Sequence, residues 1–293
     1  MPSRNPDRGV SVSTVLGRRL GSELLGMREA LGLRQVHAAE ALTASVAKVA
    51  KMERGQVPMR DPDVRALCHL YGESDPEVVE RLLGLARLDR ERRRARGWWR
   101  QGLDVGGLGE YIAMEDAATQ IRTWQTALVP GLLQTADYVR AMCVVSETWK
   151  DPDEIEPVVS VRMKRQARLS GERPLRFHAV ISEGALRQQV GGPDVMRAQL
   201  AHLVNMAEMP NVHVQVLPYR AGAHPCMSGA FSILSFAEPG AVDVAYTESI
   251  ASAVWVESAN GNAIYDRSFD RIARMSLAPR DSVELIHDIG KGM

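Results

Sequence analysis

Cysteine is scarce in this chain: three in 293 residues, Cys68, Cys143 and Cys226. They lie far apart and form no CxxC pair, so neither a disulfide framework nor a metal site is expected, and the compartment should be a reducing one. No apolar run approaches the roughly 20 residues of a membrane span. The opening Met1-Pro-Ser-Arg-Asn-Pro-Asp-Arg-Gly9 lacks the apolar core of a leader. A cytoplasmic protein with no membrane contact is the expectation. HExxH, GxSxG, the P-loop and paired CxxC are all missing, so no cofactor is expected and an enzyme is not the favoured reading. Net charge is missing too, with 36 basic and 36 acidic residues.

That neutrality conceals an asymmetry. Residues 1–100 hold 19 Lys/Arg against 13 Asp/Glu, and the remainder holds 17 against 23. Polyanion contact belongs to the first part, because phosphate neutralisation supplies most non-specific affinity for nucleic acid. At 45% apolar composition the chain can bury two cores.

Residues 33–55, from Leu33-Arg-Gln35 to Glu53-Arg-Gly55, read as two short helices joined by a tight turn. Val36, Ala39 and Leu42 form an inward stripe in the first, with Ala39 small enough for close helix approach. Ser45 is a favourable N-cap for the second. Val49 and Met52 repeat at the spacing of a buried face, which turns Val46, Ala47, Ala50 and Lys51 outward. Gly55 can take the left-handed conformation common after a helix end. On the flanks, Leu16, Leu20, Leu24, Leu25 and Leu31 predict a first helix, Asp61-Pro62 starts a fourth through Tyr71, and Asp75-Pro76 starts a fifth through about Leu88. Two readings suit this layout: a helix-turn-helix that inserts its second helix into the major groove, or a helical hairpin with no DNA role. The Gln35, Ser45 and Glu53-Arg54-Gly55 combination favours the first.

This segment resembles the Cro/repressor (XRE) class of helix-turn-helix proteins. The likeness implies that Arg28, in the preceding helix, pairs with Glu53, and that Gln35 holds a phosphate. It also places Val46, Ala47 and Lys51 against base edges, with Arg34, Ser45, Lys48, Ala50 and Arg54 completing the DNA-facing set. Thr43 departs from the class, standing where glycine is usual, and a β-branched residue is disfavoured at positive φ. The groove-facing set carries no Arg, Asn or Gln. Val and Ala can contact thymine methyls and Lys51 a guanine edge or a phosphate, with DNA shape contributing the rest.

The basic run Arg87–Arg100 has two readings: a contact to the DNA backbone, or a solvated helix end whose Arg stems cover Trp98 and Trp99, with Asp89 and Glu91 as partners. The second is favoured. Gly102–Gly109 reads as a hinge. The pattern then turns helical from Tyr111 through Trp124, again at Asp137–Val145, and after the Asp151-Pro152 start. Strands are expected at Leu175–Ile181, Val212–Leu217, Ala230–Phe236, Val242–Tyr246 and Ala253–Val256, with helices at Glu183–Val190, Pro193–Glu208, Asn262–Met275 and Pro279–Asp288. The first two strands should be parallel and the last three antiparallel.

Tyr111-Ile-Ala-Met-Glu115, Val129-Pro-Gly-Leu-Leu-Gln-Thr135, Arg162-Met-Lys-Arg-Gln166, Ser182-Glu183, Gln199-Leu200 and Val214-Gln-Val-Leu-Pro218 carry a second resemblance, to the DUF5753 (Scr1-like) domain. With the first domain, the architecture is similar to the WhiJ-like regulators of actinobacteria. The resemblance implies a small DUF397-type partner protein and assigns no chemistry. The loop Pro218–Gly229 follows a predicted strand, where open α/β sheets often place a ligand crevice. Arg220, His224 and Cys226 are candidates to line it, with Glu183 or Glu248 opposite. His224 can equally be an ordinary loop histidine, and a Cys/His pair two residues apart is weak evidence for a nucleophile.

The expected organisation is a disordered tail at 1–12, a five-helix DNA-binding domain at 13–90, a basic and Gly-rich linker at 91–110, and a mixed α/β domain of about five strands at 111–293. The expected function is sequence-specific transcription regulation. A homodimer on a palindromic operator is expected, with the second domain sensing the partner protein or a ligand. A protein-interaction module acting mainly through its small partner is the alternative.

Overall fold

The structure, a computed structural model, describes residues 14–94, 108–146, 151–237, 243–249 and 252–293. The chain divides into two units, Met1–Gly97 and Trp98–Met293. The expected tail at 1–12, Trp98, Trp99 and most of the expected hinge lie outside the described residues.

The first unit is five helices: α1 Val15–Ala30, α2 Gln35–Ala41, α3 Val46–Glu53, α4 Asp61–Leu70 and α5 Pro76–Arg94. Leu16, Leu20 and Leu24 place one face of α1 in a core shared with Ala38, Val49, Met52, Val64, Leu67, Cys68, Leu82 and Leu83. Each such large side chain contributes about 1.5–3 kcal/mol of burial. Leu31, expected in the α1 stripe, caps that helix instead and is 54% exposed. Gly21 allows α1 to approach α3 closely: a Cβ there would collide with the backbone of Met52 and Glu53. The cap of α4 is Arg60 rather than Asp61, and the Arg60 N–H donates to the Asp63 carboxylate at 3.1 Å.

Four consecutive helices end in one way. After α1, α2, α3 and α4 the residues Gly32, Thr43, Gly55 and Gly72 take positive φ (64°, 48°, 66° and 71°). The N–H of the residue that follows each returns to a carbonyl five positions back: Leu33 to Arg28, Ala44 to Ala39, Gln56 to Lys51 and Glu73 to Cys68. This 6→1 closure satisfies carbonyls the helix leaves unpaired. Thr43 is the one non-glycine residue at positive φ among the described residues.

The second unit runs α6 Leu108–Ala117, β1 Gln120–Gln125, α7 Ala136–Val144, α8 Pro152–Arg165, β2 Arg176–Ser182, α9 Glu183–Arg187, α10 Pro193–Met206, β3 Val212–Leu217, β4 Phe231–Ser235, β5 Val244–Glu248, β6 Ala253–Val256, α11 Ala259–Met275 and α12 Pro279–Lys291. Its sheet has the order β3-β2-β1-β4-β5-β6. The first three strands are parallel, with Ile121 beside Phe177 and Phe177 beside Val212, and β4, β5 and β6 add antiparallel. Trp124, Val180, Phe231 and Ile233 of the sheet pack against Phe269 and Ile272 of α11.

The sixth strand is β1, which the pattern from Tyr111 to Trp124 had placed in a helix. That helix stops at Ala117. β1 lies at the centre of the sheet although it carries Arg122 and Thr123. Arg122 is neutralised by Asp243 at 2.9 Å and Asp266 at 2.8 Å, and the Thr123 hydroxyl lies 2.9 Å from that of Ser232. Those partners are more than 100 residues away in sequence, so a local pattern does not contain them. The expected linker at 91–110 is also narrower on the described residues, because α5 continues to Arg94 and α6 opens at Leu108.

Candidate nucleic-acid interface

The position of α3 follows from one buried ion pair. Arg28 of α1 donates from Nε to Glu53 Oε1 at 2.6 Å and from Nη2 to Glu53 Oε2 at 3.3 Å, and its Nη1 donates to the Leu33 carbonyl at 2.6 Å. Gln35 of α2 donates from Nε2 to Glu53 Oε2 at 2.7 Å. The carboxylate at the end of α3 thus ties three helices together, and its hydrogen bond raises the pKa of Arg28 further. Arg28 and the Glu53 side chain are both nearly inaccessible, so the pair is worth keeping whole: removing one partner would strand a buried charge. One of the two amide N–H groups of Gln35 is committed here.

With its C-terminus held, α3 buries Val49 and Met52, at 2% and 1% exposure, beside Ala38 and Ala39 of α2. Its other side is open. Val46 is 45% exposed, Ala47, Lys48 and Lys51 are exposed, and Ala50 is half-buried. The Ser45 hydroxyl accepts the Lys48 N–H at 3.2 Å as N-cap. Arg34, at the start of α2, and Arg54, at the end of α3, are exposed on the same short segment. The residues read from sequence as outward-facing are therefore accessible, and those read as structural, Arg28, Ala39, Val49 and Glu53, are packed.

Three arginines of the basic run are engaged within the unit. Arg87 and Arg90 reach Asp61, at 3.4 and 2.6 Å, Arg90 also donates to the Met59 carbonyl, and Arg93 donates to Asp89 and to the Gly55 carbonyl. These arginines brace α5 against the turns after α3 and before α4.

The crevice expected at Pro218–Gly229 does not assemble as predicted. The Glu183 carboxylate accepts from Arg187 Nε at 2.7 Å and from the Tyr219 N–H at 2.8 Å, which fastens the loop to α9. Cys226 is buried in the cluster of Trp124, Phe231 and Phe269, and the Trp124 indole donates to its carbonyl at 3.1 Å. The His224 ring lies edge-on to Trp124 at 5.2 Å. Burial pushes the Cys226 thiol up to about 11 and pulls His224 down. Both shifts oppose a thiolate–imidazolium pair. Arg220 alone of the three is exposed. Glu248 lines a separate cavity with Tyr111, Arg162 and Arg165. In the sequence Tyr111, Arg162 and Arg165 stand out as points of family likeness and Glu248 as a candidate for the other crevice; two arginines three apart on α8 share a helix face, and that is the signal available for this cavity.

Among the described residues no group of His, Cys, Asp and Glu is arranged to hold a metal ion, and no helix is long and apolar enough to cross a membrane. Residues 19–82 match the model of a helix-turn-helix domain, and residues 108–288 match that of a domain of unknown function, DUF5753. No curated protein and no solved structure matches the chain significantly. The matched first domain is that of a DNA-binding regulator rather than of an enzyme. The second match covers more than half of the chain, which thus belongs to the DUF5753 family and carries an XRE-type helix-turn-helix domain ahead of that domain.

Proposed function

We propose that this protein is a sequence-specific transcription regulator that reads DNA with the open side of α3. The observation that carries the reading is the division of that helix: Val49 and Met52 are packed while Val46, Ala47, Lys48 and Lys51 stand clear. In this reading Lys51 reaches a base edge or phosphate, Val46, Ala47 and Ala50 meet thymine methyls, and Arg34, Gln35, Ser45, Lys48 and Arg54 hold the backbone on either side. A homodimer would set two such helices about 34 Å apart on a palindromic operator. Residues 13–90 then form the DNA-binding domain and 111–293 the receiving domain, acting in the cytoplasm as in WhiJ-like actinobacterial regulators.

A gel-shift on the protein's own promoter region, compared with unrelated DNA, is the test. Lys51→Ala should cost about 1–3 kcal/mol on the specific site if it contacts a base. If it contacts a phosphate only, the loss is equal on all sequences and the salt dependence shallows. No retarded species on any genomic fragment at low salt would overturn the proposal.

For the receiving domain, the family likeness supports a small DUF397-type protein as the signal. Co-purification of the two, with a change in operator affinity on mixing, is the expected result. Were the partner to bind while DNA did not, the chain would act as an interaction module alone.

A further inference from the structure

The second unit contains a cavity of about 340 Å³, at the low end of the range for small-molecule sites. Segments from across the unit converge on it: Tyr111 from α6, Gly131 and Gln134 from the turn before α7, Arg162 and Arg165 from α8, Phe231 from β4 and Tyr246 from β5. Three of the runs that carry the family likeness, at 111–115, 129–135 and 162–166, supply the residues of its polar end.

The two arginines are not equivalent. Arg165 is buried and paired with Glu115 through two bonds, Nε to Oε1 at 2.7 Å and Nη2 to Oε2 at 2.8 Å, and its Cζ lies 5.6 Å from the Tyr111 ring centre. Its Nη1 is buried and has no hydrogen-bond partner, and neither has Gln134 Oε1. Arg162, one helical turn earlier, forms no hydrogen bond or ion pair with a described residue, and Glu115, the carboxylate whose charge acts on it, is already spent on Arg165. Burial, with the positive Arg165 beside it, pulls Arg162 down to about 10. Its guanidinium rests against Gly131, where a Cβ would come within 2.5 Å of Nη1. The turn is held in that place by Gln166, which donates to the Gln134 carbonyl, and by Gln199, which donates to the Leu133 carbonyl and accepts from the Thr135 N–H. A half-buried charge without a counter-ion is costly, and here the backbone around it is fastened by two glutamines.

We propose that this cavity binds a small organic acid, its single carboxylate on Arg162 and Arg165 Nη1 and its apolar body against Val129, Met142, Phe231 and the Tyr111–Tyr246 ring pair. A guanidinium presents a planar fork that matches a carboxylate. One uncompensated cation inside matches one negative charge, and exposed Glu248 at the rim disfavours a second. The paired rings, with centres 4.8 Å apart and planes inclined at 48°, offer an angled aromatic wall. The inference gives the receiving role proposed above a ligand chemistry, and binding is measured without DNA, so the two can fail separately.

The experiment is thermal unfolding of the full chain with benzoate, cinnamate, 4-hydroxyphenylacetate, indole-3-acetate and octanoate at millimolar concentration, each beside its primary amide. At least one acid should raise the midpoint while its amide does not, as expected for a ligand that binds only the folded state. Arg162→Gln should abolish that response and leave the ligand-free midpoint unchanged or higher, since it removes an uncompensated charge; a merely structural arginine would lower it. Gly131→Ala keeps the charge but displaces the guanidinium, and should weaken the acid's apparent affinity about tenfold or more. The proposal is overturned if no acid acts, if amides act equally, if Arg162→Gln still responds, or if it lowers the ligand-free midpoint.

Discussion

Each unit is built around a buried arginine–glutamate pair, and the two pairs end differently. Arg28–Glu53 is closed: three groups share the carboxylate, and the last guanidinium nitrogen goes to a carbonyl. Arg165–Glu115 has the same two-bond geometry, but a second guanidinium stands beside it with no counter-charge and a cavity in front. The first arrangement is what fixing a helix requires. The second keeps charge in reserve, and a fold gains nothing from that reserve unless something else uses it. The lesson is that a buried ion pair identifies a joint or a site only after the charges around it have been counted.

The largest expected effects come from breaking the pairs. Glu115→Gln leaves Arg162 and Arg165 facing each other without a carboxylate, whereas Glu53→Gln leaves one arginine that still holds the Leu33 carbonyl. Breaking a buried pair costs about 3–5 kcal/mol, with Glu115→Gln the more damaging. The units can be followed apart, because all five tryptophans (98, 99, 124, 149 and 255) lie beyond Gly97. Denaturant unfolding should therefore show Glu115→Gln moving the fluorescence midpoint. Glu53→Gln should move only part of the helical signal in far-ultraviolet circular dichroism. Equal effects on both signals would erase the distinction between the pairs.

Acid should separate the units by a smaller amount. Burial lowers His178 below its ordinary 6.5, against the bond it makes to Gln215, and burial likewise lowers His202 and His224. All three are in the second unit. The unfolded chain then binds protons the folded one resists, so stability is complete above about pH 6.5 and falls as the pH drops through the folded values. In the first unit the lowered groups are two carboxyls: Asp61, through its hydrogen bond from Arg90, and Asp63, where burial opposes the charge and the Arg60 side chain and N–H outweigh it, so that both lie below 3.8. Their contribution survives until the pH drops below that range. Urea midpoints at pH 7 and pH 5 should differ in fluorescence and hardly at all in the remaining helical signal.

How much of this was legible without coordinates also differs between the units. In the first, neighbours in space are near in sequence: the Leu16–Leu24 stripe, the Ser45 cap and the Val49–Met52 spacing each state their role within one helix, and all five helices followed. In the second, what decides the structure is distant. β1 was hidden because the acids that neutralise Arg122 come from residues 243 and 266. The crevice was misplaced because Cys226 and His224 read as chemistry locally, while their burial beside Trp124 is a property of the assembled sheet. The outward face of α3 was read correctly for accessibility, since helical periodicity alone determines it.

The finest comparison lies within the first unit, among its four like helix ends. Gly32, Gly55 and Gly72 meet the left-handed conformation without a Cβ, and Thr43 meets it with a branched one at φ 48°. Left-handed backbone costs a non-glycine residue about 1–2 kcal/mol, while glycine gives back part of that through the greater entropy of its unfolded chain. Thr43→Gly should thus stabilise the first unit by about 0.5–1 kcal/mol and leave the fluorescence midpoint of the second unchanged. Thr43 is exposed, and its N–H to Glu40 and the Ala44 N–H to Ala39 are backbone bonds that glycine keeps. A loss of stability would show that the threonine side chain contributes a contact outweighing its strain, and that the turn between α2 and α3 is not the equivalent of the other three.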